Sequence, residues 1–152
     1  MIFSGVDSQT VEFKITNYQF PDNKEGDWDG NWLNIYLKVD SKVGKWQTID
    51  PYLTTWEVQE IIDWCDQLSA NKEPEFRLMK FTEPNLSFEL LNEPTNNKKL
   101  IRIKFDLECR PKSATDDKEY FVDISVDRDE LITIKKGLID ELNKYPERKT
   151  TA

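Results

Sequence analysis

Short stretches of strict alternation run through the chain, each the mark of a strand with one buried face. Val11, Phe13 and Ile15 alternate with Glu12, Lys14 and Thr16. In WLNIYLKVD, Leu33, Ile35, Leu37 and Val39 alternate with Trp32, Asn34, Tyr36 and Lys38, which makes this the strongest strand in the chain. KWQTI, after the turn SKVG, gives a short third strand. FRLMKF, LSFELL, LIRIKFDLEC and EYFVDISV give four more, with Ile101, Ile103, Phe105, Leu107 and Cys109 on one face of the third of these and Tyr120, Val122, Ile124 and Val126 on one face of the last.

Two segments change period. Val58, Ile61, Ile62, Cys65 and Leu68 recur at helical spacing, and Thr54 with Glu57 has the spacing of a capping box, so a helix starts after Thr54 and ends near Ala70–Asn71. Asp127 and Glu130 repeat the device, and Leu131, Ile134, Leu138 and Leu142 form a second stripe. Lys144 suits the C-terminal end of that helix dipole and Pro146 stops it. The expected order is βββαββββα: an α+β protein with a mainly antiparallel sheet of about seven strands and two amphipathic helices. No repeat, low-complexity tract or linker interrupts it, so residues 1–152 read as a single domain with 146–152 as a frayed tail.

Charge narrows the partners. The net charge is −8, and residues 1–73 carry 13 acids against 6 bases while residues 74–152 carry 16 against 15. That field disfavours nucleic acid, whose phosphates need Lys and Arg, and favours a cationic partner, with a solubilising surface as the plain alternative. The chain has no His, which removes the Ser-His-Asp triad, the Cys-His dyad and His-based zinc sites. Cys65 and Cys109 lie far apart and on apolar faces, which favours two buried free thiols over the alternative of a disulfide. The opening MIFSGVDSQT lacks the basic and apolar regions of a secretory signal, and no 18-residue apolar run exists, so the expectation is a cytoplasmic protein without a membrane span.

The stretch GDWDGNW, residues 26–32, concentrates the candidate chemistry. Asp27, Asp29 and Asn31 match the first three ligand positions of a calcium-binding EF-hand loop, but position six is Trp32 and position twelve is Lys38, where Gly and a bidentate acid are required. A turn using Asp and Asn for local hydrogen bonds fits the stretch better. Asp27 and Asp29 could serve as a paired-carboxylate hydrolase, yet no nucleophile motif or phosphate loop accompanies them and the sequence argues against an enzyme. No metal or other cofactor is implied. All five Trp fall between residues 28 and 64, and Trp32 shares a strand face with Tyr36, opposite the core positions. Exposed aromatics beside acids suit a protein interface, and a Trp28/Trp32 stacking platform would suit a carbohydrate-binding module; a second covered layer is the structural alternative.

Three pieces, W-D-x-N-W-L at Trp28–Leu33, D-P-x-L-x-T-W-E at Asp50–Glu57 and E-P-N-L-S-F at Glu83–Phe88, resemble the WapI-like immunity proteins, and the similarity spans about Val11 to Pro146. The resemblance implies a non-enzymatic bacterial antidote, acting in the cytoplasm, that binds the toxic C-terminal domain of a cognate polymorphic toxin of the contact-dependent type. A nuclease toxin would present a basic surface that an acidic inhibitor can cover. On charge and aromatic exposure, the expected contact residues are Asp27, Trp28, Asp29, Asn31, Trp32 and Tyr36, with Asp22 and Glu25 on the rim.

Overall fold

The computed structural model describes residues 1–150. Among these residues eight strands form two four-stranded antiparallel meanders. The first sheet contains β1 (Ile2–Ser4), β2 (Thr10–Tyr18), β3 (Trp32–Ser41) and β4 (Gly44–Thr54), and the second β5 (Leu78–Lys80), β6 (Leu86–Leu90), β7 (Lys99–Phe105) and β8 (Tyr120–Val126). A single helical turn, α1 (Trp28–Asn31), precedes β3; α2 (Thr55–Ser69) joins the sheets and α3 (Arg128–Lys144) follows the second. The α+β class and the order of the long elements are those the alternation predicts.

Three details differ from that reading. The strand count is eight, because β1 is only three residues long and too short to show a period; it pairs with β2 from Ile2 opposite Glu12 to Ser4 opposite Thr10. The third strand of the alternation, KWQTI, extends to Thr54 through Pro51, which an edge strand tolerates. Between Leu33 opposite Leu53 and Ile35 opposite Asp50, β4 carries one extra residue. This bulge lets Tyr52 and Leu53 both turn inward, where each is buried. Finally, the alternation ending at Cys109 leaves the sheet at Phe105. Leu107 takes a left-handed conformation, φ 51°, in a 3-10 turn and is exposed, while Cys109 is buried.

Both capping boxes form. Thr54 Oγ1 accepts from the Glu57 N–H at 3.2 Å and Glu57 Oε1 accepts from the Thr54 N–H at 2.9 Å. The second oxygen of Glu57 accepts from the Thr82 N–H at 2.7 Å, so the same carboxylate fastens the start of α2 to the segment entering the second sheet. The two sheets and both long helices share one hydrophobic cluster. Across it Phe3 on β1 meets Phe88 on β6, and Trp46 on β4 meets Phe105 and Tyr120 on β7 and β8, with ring centroids 5.9, 5.5 and 6.0 Å apart. Cys65 and Cys109 are free and buried, and burial pushes both thiols up to about 12. Among the described residues no helix is long and apolar enough to cross a membrane.

Candidate functional site

GDWDGNW folds as a capped turn. Asp27 is the N-cap of α1, its Oδ1 accepting from the Gly30 N–H at 2.8 Å. The loop before it closes so tightly that a Cβ on Gly30 would lie 2.0 Å from the Glu25 carbonyl oxygen, and one on Gly26 would lie 2.1 Å from the Thr150 nitrogen. Both glycines are therefore required by close backbone approach rather than by chain freedom.

Asn31 is a correction. It is 0% exposed and cannot touch a partner. Its Nδ2 donates to the Asp27 and Arg148 carbonyls at 2.8 and 3.1 Å, and its Oδ1 accepts from Thr55 Oγ1 and the Arg148 N–H at 2.8 and 2.9 Å. It ties the loop to α2 and to the segment after α3. That segment is not frayed over residues 146–150. The Arg148 guanidinium donates to the carbonyls of Phe20, Pro21 and Asn23 and lies 3.6 Å from the Tyr18 ring centroid, while the Tyr18 hydroxyl donates to the Pro146 carbonyl at 2.6 Å. The remainder of the expected tail, residues 151 and 152, lies outside the described residues.

The tryptophans behave differently from one another. Trp28 is 56% exposed; its ring sits 6.3 Å from Trp32, canted by 36°, and 5.1 Å from Trp56, nearly edge-on at 77°. Trp56 is half-buried and donates its indole N–H to Glu147 at 2.8 Å. Trp64 is core, and Trp46 packs on it. Trp64 is thus covered, Trp56 partly so, and Trp28 is the exposed member of the set.

Trp32 forms one wall of a groove of about 520 Å³, which also takes in Phe20 and the carboxylates Asp29, Asp50, Glu83 and Glu108. No Lys or Arg lines it. Glu108 accepts from Asn85 Nδ2 at 2.7 Å, and its own backbone N–H and this amide hold its carboxyl below the usual range, so the charge is fixed in place. Asp22, Glu25 and Asp27 are exposed on the loop beside the groove. Tyr36 lies further along the same face of β3, outside the groove, with its hydroxyl 3.1 Å from Gln47 Oε1. Among the described residues no three acidic or thiol side chains converge as metal ligands would.

Pattern reading missed Phe20, Asp50, Glu83 and Glu108 as companions of Asp29 and Trp32, and Trp56 as the companion of Trp28. A signal for three of them was present: Asp50, Trp56 and Glu83 belong to the motif pieces that carry the family resemblance. Those pieces, remote in sequence, meet in space here, since Asp29 and Trp32, Asp50 to Tyr52, and Glu83 with Asn85 line the one groove. The surface chemistry is that of a site for cationic groups, with an aromatic wall on which their aliphatic stems can rest. The chain belongs to the immunity protein WapI-like family, whose model matches residues 1–146 and so includes β1. No curated protein matches it.

Proposed function

We propose that this protein neutralises a toxin by binding the toxic C-terminal domain of its cognate polymorphic toxin in the cytoplasm, covering a basic, nuclease-like surface with the groove at Trp32 and the neighbouring Trp28. Family membership supports an immunity role in general. The observation that carries the finer reading is the convergence of the three motif pieces on a groove with four carboxylates and no base. A carboxylate in such a setting attracts Lys or Arg and raises the rate of encounter with a basic protein. Trp28 adds an exposed aromatic anchor of the kind that dominates protein interfaces.

The geometry favours a protein over a sugar as the occupant. Trp28 is canted against Trp32 and edge-on to Trp56, so the indoles form a ridge rather than the flat platform on which a pyranose ring stacks. The reading assigns no catalysis to the protein itself; of the Asp27 and Asp29 pair, the best general acid–base candidates in the sequence, Asp27 spends its carboxylate on a helix cap. The test is co-expression with the C-terminal domain of the toxin encoded next to this gene. Rescue of growth and co-purification of a stable complex are expected. Continued toxicity with soluble, folded protein present would reject the proposal.

A further inference from the structure

A second groove, also about 520 Å³, lies on another face, between α2 and β5. Strand β5 is the edge of its sheet and, among the described residues, pairs only with β6. The Leu90 N–H donates to the Arg77 carbonyl at 2.8 Å, and the register places Leu78 opposite Glu89 and Lys80 opposite Ser87. In an antiparallel pair, hydrogen-bonded and non-hydrogen-bonded positions alternate. Arg77 and Met79 therefore direct their main-chain groups at β6, and Leu78 and Lys80 direct theirs outward.

The outward edge is closed at both ends by α2. The Trp64 indole N–H donates to the Phe76 carbonyl at 2.8 Å, and Glu57 accepts from the Thr82 N–H at 2.7 Å. Between these two ties no hydrogen bond among the described residues occupies the outward N–H and C=O groups of Leu78 and Lys80, and the groove opens there. Phe76 and Leu78 are 63% and 40% exposed beside it. The stretch of edge left open between these ties, next to exposed apolar side chains, is a template for a short extended segment.

Charge identifies what would fill it. Glu60, Asp63 and Glu75 line the groove against the single base Lys80. Burial, with Glu57, Asp63 and Glu75 close by, pushes the Glu60 carboxyl up, as expected where like charges crowd without an offsetting cation. A second copy of this chain pairing β5 to β5 would bring two such acidic sets together.

We propose that this groove receives an extended, basic segment of the toxin domain, which adds as a strand to β5 through the main chain of Leu78 and Lys80 and sets Lys or Arg side chains against Glu60, Asp63 and Glu75. The proposal rests on the toxin-binding reading and gives that partner a second point of attachment. It is tested by hydrogen exchange on the full chain with and without the toxin's C-terminal domain, together with Leu78→Pro and Asp63→Lys. Proline at 78 removes an N–H that β6 does not use, so the sheet is kept. The Leu78 and Lys80 amides are expected to exchange freely in the protein alone and to slow at least tenfold in the complex, and each variant to bind at least tenfold more weakly. A stable complex in which both amides still exchange freely overturns this inference and leaves the proposed function standing. Protection that grows with the protein's own concentration makes a second copy the occupant and also overturns it. No complex at all rejects both readings. Should Leu78→Pro fail to fold by circular dichroism, exchange in the unmodified chain and binding by Asp63→Lys decide the matter.

Discussion

Asn31 and Arg148, 117 residues apart, are joined by two hydrogen bonds through the Asn31 amide, which accepts from the Arg148 N–H at 2.9 Å and donates to its carbonyl at 3.1 Å. The side chain imitates a strand partner for one residue. It also satisfies Thr55, so one buried amide holds a loop, a helix start and the segment after α3.

Replacing Asn31 by Ala leaves the buried Thr55 hydroxyl and the part-buried Arg148 N–H without partners. A loss of about 2–4 kcal/mol is expected, measured by urea denaturation. Arg148→Met keeps the main-chain bonds and loses only the guanidinium contacts to the loop carbonyls, so it should cost less while opening residues 20–27 to limited proteolysis. Equal losses in the two variants would show that the amide is not the centre of the tie.

Charge reversal separates the acids by role. Asp29→Lys with Glu83→Lys should slow association with a basic partner several-fold at low salt and leave folding within about 0.5 kcal/mol. Asp27→Lys removes the cap of α1 and should cost about 1 kcal/mol as well. Stopped-flow association and thermal melts distinguish the two. Indifference of the association rate to Asp29 and Glu83 would detach the groove from binding.

Trp28→Ala should fold normally, since more than half of the residue is exposed, and should weaken the toxin complex at least tenfold. Calorimetric titration measures this. An unchanged affinity would mean that the ridge of indoles is a brace for the loop and no anchor.

Acid stability gives a check independent of any partner. Glu141 is 6% exposed; burial pushes its carboxyl up, but Lys144 at 2.8 Å and the Ile15 N–H at 2.9 Å outweigh that and hold it below its ordinary value. A pKa lowered by folding contributes stability that is present above the unfolded value and lost as pH falls through the folded one. The protein should therefore lose stability below about pH 4.5. Glu141→Gln should be less stable at neutral pH and show a shallower acid limb, read from melting temperatures across pH.

The parts legible in the sequence are those fixed by near neighbours. Alternation over Leu33 to Val39 and the Thr54/Glu57 spacing each depend on residues a few positions apart, and both appear as read. What escaped depends on remote partners. Asn31 sits in a run of polar turn residues and looks exposed; its burial is decided by Thr55 and Arg148. Asp50 and Glu83 look like ordinary turn acids until the β4 bulge and the path into β6 bring them beside Trp32. The outward edge of β5 is a matter of register, and three residues carry no register signal of their own.

The link between Arg148 and the loop at 20–31 also orders events in time. The ribosome makes Asn31 117 residues before the residue that locks it, an interval of roughly ten seconds at ordinary elongation rates. During that interval the first meander can already pair, since its strands are neighbours in the chain, but the turn bearing Trp28 and Asp29 lacks its fastening. A nascent chain would thus display the acids and indoles without their final arrangement, and the binding surface would mature only as synthesis reaches the segment beyond α3.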